Sequence, residues 1–344
     1  MNISVHKRPL FFISLLLGLL MTACEKFLPS DRDSLEVEAR FTQTEYEPIL
    51  GRYNWIRNNF STANSTLPLK FKLTNVRRFD GEPATELTQQ YPVKVWKELY
   101  TGFEKSLEEI EKKRVTEYHS LFEIGESNGS IIFWPSGKSS FIKNQPDSGY
   151  MFDVEVSNSG GRKYFKDLRL KPFKERPYSP INMNAVSGLI TDPYLSPSLA
   201  FNMAGDRGGY IFSSDVKVSI NKDEANRLGG NTLTFRFIDS LGNSINPDKF
   251  NTTNWQNVVH GFNMEKTSDY VRYKVAYPIP LVETPTAYTN GSGNAALVFF
   301  SYERLGFGQQ VTTGGLGFQF AIYEPGDWEI IFLFPNESPK FEDD

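Results

Sequence analysis

YMFDVEVSNSGG, Tyr150 to Gly161, decides the fold class. Phe152, Val154 and Val156 alternate with Asp153 and Glu155, and Asn158-Ser159-Gly160-Gly161 stops the run. Period-2 alternation puts every second side chain on one face, so it predicts a strand with one wet face. The same signature recurs upstream at Leu69, Phe71 and Leu73, and at Phe122 and Ile124 around Glu123. Asn128-Gly129 is a tight-turn signal before Ile131-Ile132-Phe133, and Phe165, Leu168 and Leu170 predict a further strand. Phe41 to Tyr46 is expected to open the unit as an edge strand.

Downstream the pattern repeats. Val216, Val218 and Ile220 alternate, as do Leu233, Phe235 and Phe237, and Val271, Tyr273 and Val275. Leu316, Phe318 and Phe320, then Ile330, Phe332 and Phe334, predict the last two strands, with Gly326-Asp327 as the turn between them. Ala296 to Tyr302 is continuously apolar and is expected to be buried on both faces. NKDEANRLGG, Asn221 to Gly230, is expected to carry one helical turn.

One stretch departs from the pattern. Trp96, Leu99, Tyr100, Phe103, Leu107 and Ile110 recur at three- and four-residue spacing, which predicts a helix over Pro92–Arg114 with a charged outer face. KPFKERPYSPINMN, from Lys171 to Asn184, is rich in Pro and charge and reads as a domain boundary. The expected architecture is all-β: a first domain over 39–172 with one inserted helix, then a β-sandwich or jelly-roll domain over 185–344.

Composition agrees. Aromatics make up 14% of the 344 residues, with 28 Phe and 16 Tyr, and 26 Gly and 20 Pro punctuate them. The net charge of −4 carries no electrostatic footprint for nucleic acid. No cofactor is implied: cysteine is too scarce for a structural zinc site, and Met203-Ala-Gly-Asp-Arg-Gly-Gly209 lacks the spacing and following Lys of a phosphate loop. The bland reading of that loop is a flexible connection with a surface ion pair.

The N-terminus carries the address. Lys7-Arg8, the apolar run Pro9 to Met21 and Thr22-Ala23-Cys24 describe a secretory signal peptide over 1–23. The run is shorter than the about 20 apolar residues a spanning helix needs. Cys24 is the single cysteine, whereas secreted proteins use cysteine in pairs. Met21-Thr-Ala-Cys24 resembles the lipobox of bacterial lipoproteins, which implies lipidation of Cys24 and anchoring to a membrane. Loss of Lys7 and Arg8 would move the net charge from −4 to −6. Residues 24–38 read as a polar tether, and their acidic residues resemble the surface-export signal of Bacteroidetes lipoproteins.

Two further resemblances follow. The order Phe122, Ile124, Asn128, Gly129, Ile131, Tyr150, Phe152, Val154, Val156, Ser157–Gly161, Leu168, Leu170 is similar to the closing strands of cadherin-like and immunoglobulin-like bacterial domains. Cadherin calcium ligands do not carry over, because no such acidic linker cluster is present. The chain, through its lipobox, tether, tandem β-domains and the phrase DVEVSNSGGRKYFKDLRLKPF (Asp153 to Phe173), resembles outer-membrane lipoproteins of Bacteroidetes polysaccharide-utilisation loci. That implies a polysaccharide or oligosaccharide ligand and a transporter partner at the cell surface, and it implies no catalytic residue.

Stacking on sugars needs aromatic faces, with amides and carboxylates for hydroxyls. Trp255 lies in a polar run and is a candidate, with a half-buried loop anchor as the bland reading. Trp134, before Pro135-Ser-Gly, is expected at a loop tip, and Tyr288 lies in the polar loop Tyr288–Asn294. Trp55, two residues after Tyr53, reads as core or surface equally; Trp328 is in phase with Ile330 and reads as core, as does Trp96. An adhesion lipoprotein binding a protein, and a glycoside hydrolase with an unrecognised carboxylate pair, are the alternative functions.

Overall fold

The computed structural model describes residues 33–344. The segments expected as signal peptide (1–23) and, in most part, as tether (24–38), with Cys24, lie outside the described residues. Among the described residues two large hydrophobic cores are present, one built from Phe41 to Leu170 and one from Tyr178 to Phe334, with a small third cluster between them.

The first unit contains β1 (Arg40–Phe41), β2 (Glu45–Tyr46), β3 (Asn54–Ile56), β4 (Phe60–Ser61), β5 (Lys70–Arg78), β6 (Gln90–Trp96), β7 (Arg114–Ser120), β8 (Phe122–Ile124), β9 (Ile131–Phe133), β10 (Tyr150–Asn158) and β11 (Gly161–Leu170). Its main sheet has the order β2-β11-β10-β5. It packs on the three-stranded sheet β3-β9-β8, with Phe122 edge-on to Phe152 at 4.8 Å. Phe41, Phe60, Phe71 and Phe165 close one end of this core edge-to-face at 5.0–5.6 Å. Such geometry is favoured by the ring quadrupole.

Asp153 breaks the expected alternation. It is buried, and the register slips on both sides of it. Asn75 on β5 and Asp167 on β11 adopt left-handed backbone there, with φ of 50° and 60°. The Asp153 carboxylate accepts from Asn75 Nδ2 at 2.8 Å, the Asp167 N–H at 2.9 Å and Arg77 at 3.2 Å. One carboxylate therefore ties down two bulges. Burial pushes its pKa up, but these donors outweigh burial and hold it below the ordinary carboxylate range.

The expected helix over Pro92–Arg114 is not formed. The segment is the β6–β7 hairpin, with one short helix, Leu107–Lys112, before β7. Val93 and Val95 favour strand, and Pro92 is tolerated because the two-stranded ribbon leaves its outer edge unpaired. Ser106 starts the helix by accepting from the Glu109 N–H. Leu99 and Phe103, which completed the helical spacing, are loop residues 79% and 83% exposed.

The second unit contains β12 (Tyr178–Ser179), β13 (Leu199–Phe201), β14 (Met203–Ala204), β15 (Tyr210–Ile211), β16 (Lys217–Asp223), β17 (Asn231–Ile238), β18 (Gly261–Lys266), β19 (Val271–Val275), β20 (Ala296–Gly306), β21 (Gln310–Ile322) and β22 (Gly326–Leu333). The five-stranded sheet β16-β22-β17-β19-β18 faces the long β20–β21 hairpin, which β12 and β13 extend. Phe300 meets Phe237 at 4.9 Å and Phe332 at 5.4 Å across the layers.

β20 is not buried on both faces. Along its length it pairs with β21, with a single bridge from Ala296 to Thr289 on the other side, and Leu297 and Phe299 point outward. Gly326-Asp327 is no turn but the start of β22. Buried Asp327 accepts from the Leu228 and Gly230 N–H groups and the Thr232 hydroxyl, pinning the β16–β17 connection, which carries no helical turn. The proline-rich segment contains β12, so it joins the second core through Tyr178 rather than lying wholly between the units.

The units are joined by the β6–β7 excursion. Tyr100 and Ile110 bury against Ala276 and Leu281, flanked by Trp96, Leu107, Phe262 and Val282. His260 Nε2 donates to the Glu104 carbonyl at 2.8 Å, and Arg114 donates to the Tyr277 carbonyl at 2.8 Å.

Candidate functional site

The β3-β9-β8 sheet buries Ile131, Phe133 and Phe122 inward. Its other face carries the row Trp55, Ile132, Glu123, fixed by the register of three strands. Tyr53 and Trp134 extend this row one step, with ring centroids 5.2 Å apart. Tyr53 and Trp55 are each 45% exposed. Their rings are 6.5 Å apart, and the Arg57 guanidinium lies 4.3 Å from the Trp55 ring centre. The His119 ring packs against Trp134 at 4.4 Å, tilted by 33°.

Polar groups hold this strip in place. Trp134 Nε1 donates to Glu123 at 3.0 Å. The His119 nitrogens face Glu123 and Glu117, each at 3.1 Å. Burial raises the Tyr53 phenol above its ordinary pKa, keeping it a neutral donor and acceptor. The result is a row of aromatic faces beside an ordered carboxylate, the chemistry that takes sugar rings and their hydroxyls. Among the described residues no cluster of His, Cys, Asp or Glu is arranged to hold a metal ion.

The three candidate rings go to three different places. Trp134 is half-buried within the strip. Trp255 is 8% exposed and packs on Phe300 at 5.4 Å and Phe237 at 6.3 Å, while its carbonyl accepts from Tyr273. A lone ring in a polar run gains most by leaving water, so this turn is pinned by it; Trp255 offers no face to a ligand. Tyr288 stacks flat on His260 at 4.7 Å and 3°. His260 in turn accepts at Nδ1 from the Tyr100 hydroxyl, since Nε2 donates to Glu104. Tyr288 is therefore part of the clasp between the units. The cavity there is about 20 Å³, the scale of one water.

The glycine loop 205–209 also resolves. Its Arg207 and Gly209 N–H groups donate to the Glu337 carboxylate, so the loop cradles the chain's own C-terminal segment. A Cβ on Gly205 would strike that carboxylate. Local spacing leaves Trp55 undecided and does not join Tyr53, His119 and Glu123 to Trp134. The signal for the first two was the in-phase Tyr53-Asn-Trp55 pair; the rest depends on pairing across some 80 residues of chain.

No curated protein matches the chain in sequence. Among solved structures, the two tandem V-type regions of VCBP3, a v-region-containing chitin binding protein, align over 88% of this chain and 99% of that one. The identity is 11% and the TM-score 0.21. The family described as a domain of unknown function, DUF5007, matches residues 60–343, and the chain belongs to it.

Proposed function

We propose that the protein is a lipid-anchored surface lipoprotein that captures glycan beside an outer-membrane transporter. The observation that carries this is the Tyr53–Trp55–Trp134–His119 strip with Glu123 held against it. The contact face is assigned to the first unit, not to the second as the exposed-Trp255 reading would have it. The lipobox-like Met21-Thr-Ala-Cys24 supports the anchor.

A second reading rests on a separate feature. On the outer face of β13, β21 and β20, Phe201 stacks on Phe299 at 5.6 Å and 14°, with Leu199 and Leu297 exposed beside them. A patch made mainly of apolar side chains suits a protein partner better than a sugar.

Retardation of the purified protein in native gels containing a panel of polysaccharides tests the first reading, with tryptophan fluorescence as a second readout. Retardation without release of product is expected. Release of product would move the assignment to a hydrolase, and a negative panel would move it to the protein-binding reading. In cells, Cys24→Ala is expected to shift the protein from the membrane to the soluble fraction; continued membrane fractionation would contradict the anchor. Several buried acyl chains, at roughly 0.8 kcal/mol per CH₂, hold a protein on a bilayer.

A further inference from the structure

Tyr53-x-Trp55-x-Arg57 continues the alternation that builds the strip. Residues two apart on a strand share a face, so Arg57 follows Tyr53 and Trp55 onto the outer side of β3. β3 ends at Ile56, and Asn58 turns the chain with a left-handed φ of 56°. The β3–β9 register sets Tyr53 toward Trp134, so Arg57 stands at the opposite end of the row. Arg57 is exposed, as are Tyr53 and Trp55, so a ligand lying on the rings reaches it from solvent.

The Arg57 guanidinium lies 4.3 Å from the Trp55 ring centre. A ring face attracts the charge but offers no lone pair, so the N–H donors stay free. Among the described residues, no carboxylate or carbonyl pairs with them. The ring holds the fork in place beside the surface on which a sugar would lie, and a held fork loses less freedom on binding. The other end of the strip carries the opposite sign. Glu123 holds Trp134 Nε1 at 3.0 Å and His119 at 3.1 Å, and Glu117 faces the second His119 nitrogen at 3.1 Å. A ligand along the rings therefore meets carboxylates at the His119 end and a free cation at the Arg57 end. A planar N–H fork matches a carboxylate or a sulfate.

We propose that Arg57 is the specificity-determining residue of the strip, taking a carboxylate or sulfate substituent of a sugar stacked beside Trp55, so that the captured glycan is acidic. This rests on the glycan reading of the strip and names its substrate class. The chain as a whole is acidic, at −4, so the attraction is local rather than a property of net charge.

Polygalacturonate, dextran sulfate and an uncharged β-glucan serve as probes in affinity gels with the purified protein. An acidic probe is expected to be held about tenfold more tightly than the neutral one, with the gap closing as salt rises. Retention of polygalacturonate assigns a carboxylate and retention of dextran sulfate a sulfate; either supports the subsite. Arg57→Gln is expected to bring acidic retention down to the neutral level. The substitution also removes the cation beside Trp55, but a displaced ring lowers retention of every probe alike, so the ratio of acidic to neutral retention reads the subsite. A preference that survives Arg57→Gln, or equal or tighter retention of the glucan by the wild type, overturns the subsite and leaves the glycan reading standing. Retention of no probe overturns both. Where the wild type holds only an acidic probe, the salt dependence of that retention takes the place of the ratio: Arg57→Gln should flatten it, and an unchanged slope overturns the subsite.

Discussion

Phe300→Ala is expected to destabilise the second unit by about 3–5 kcal/mol, the largest effect of any single substitution considered. The ring is fully buried at the centre of the β20–β21 hairpin. It touches Phe235, Phe237, Trp255 and Phe332 at 4.9–5.5 Å. These neighbours sit on two strands, β17 and β22, and one turn, so they cannot all move into the space left behind. The cavity would persist, and its cost adds to the lost transfer energy. Urea unfolding followed by the buried Trp255 and Trp328 reads this unit directly. A loss under about 1 kcal/mol would mean that the ring cluster repacks freely, contrary to close packing.

Acid should open the clasp between the units. The buried Glu104 carboxylate accepts from the Thr101 N–H and hydroxyl, the Gly102 N–H and Lys113 Nζ. Burial alone would raise its pKa; these donors outweigh it and hold it at about 2. Its folded-state pKa thus lies below the unfolded value. The contribution is present above about pH 4.5 and is lost as pH falls toward 2. The linkage is worth about 3 kcal/mol when complete. Glu104→Gln should remove that part of the acid sensitivity and weaken the protein at neutral pH, because Lys113 then loses its buried counter-charge. The loop also presents the Glu104 carbonyl to His260, so loosening it should disorder the His260–Tyr288 stack. An acid-unfolding profile that is the same in wild type and Glu104→Gln would contradict this.

Strand content was legible because alternation is a local signal. Phe152-x-Val154-x-Val156 and Leu233-x-Phe235-x-Phe237 each declare their buried face without reference to any neighbour. The failures have physical causes. At Trp96–Phe103 a chance three- and four-residue spacing arose from residues that serve different purposes: Trp96 and Tyr100 pack at the seam, while Leu99 and Phe103 face water. At Ala296–Tyr302 a continuous apolar run concealed an edge strand whose second face is an exposed patch. Trp255 showed that polar neighbours in sequence do not keep a ring in water when a core lies beneath it. The strip itself was legible only in part. Tyr53-x-Trp55 announced a common face, but His119, Glu123 and Trp134 reach it through β7, β8 and β9, and pairing between distant strands leaves no trace in local spacing.

Glycan capture by this protein stands on the aromatic strip. Its most direct test is the Tyr53→Ala/Trp55→Ala double variant, compared with wild type in affinity gels on the best-retained polysaccharide. Both rings are half-buried on the outer face of the sheet, so some loss of melting temperature is expected, and a retained cooperative unfolding transition serves as the fold control. Loss of two stacking faces, at about 1 kcal/mol or more each, predicts a drop in affinity of tenfold or greater. Undiminished retention by a folded double variant would contradict the assignment of the strip as the glycan-contact face.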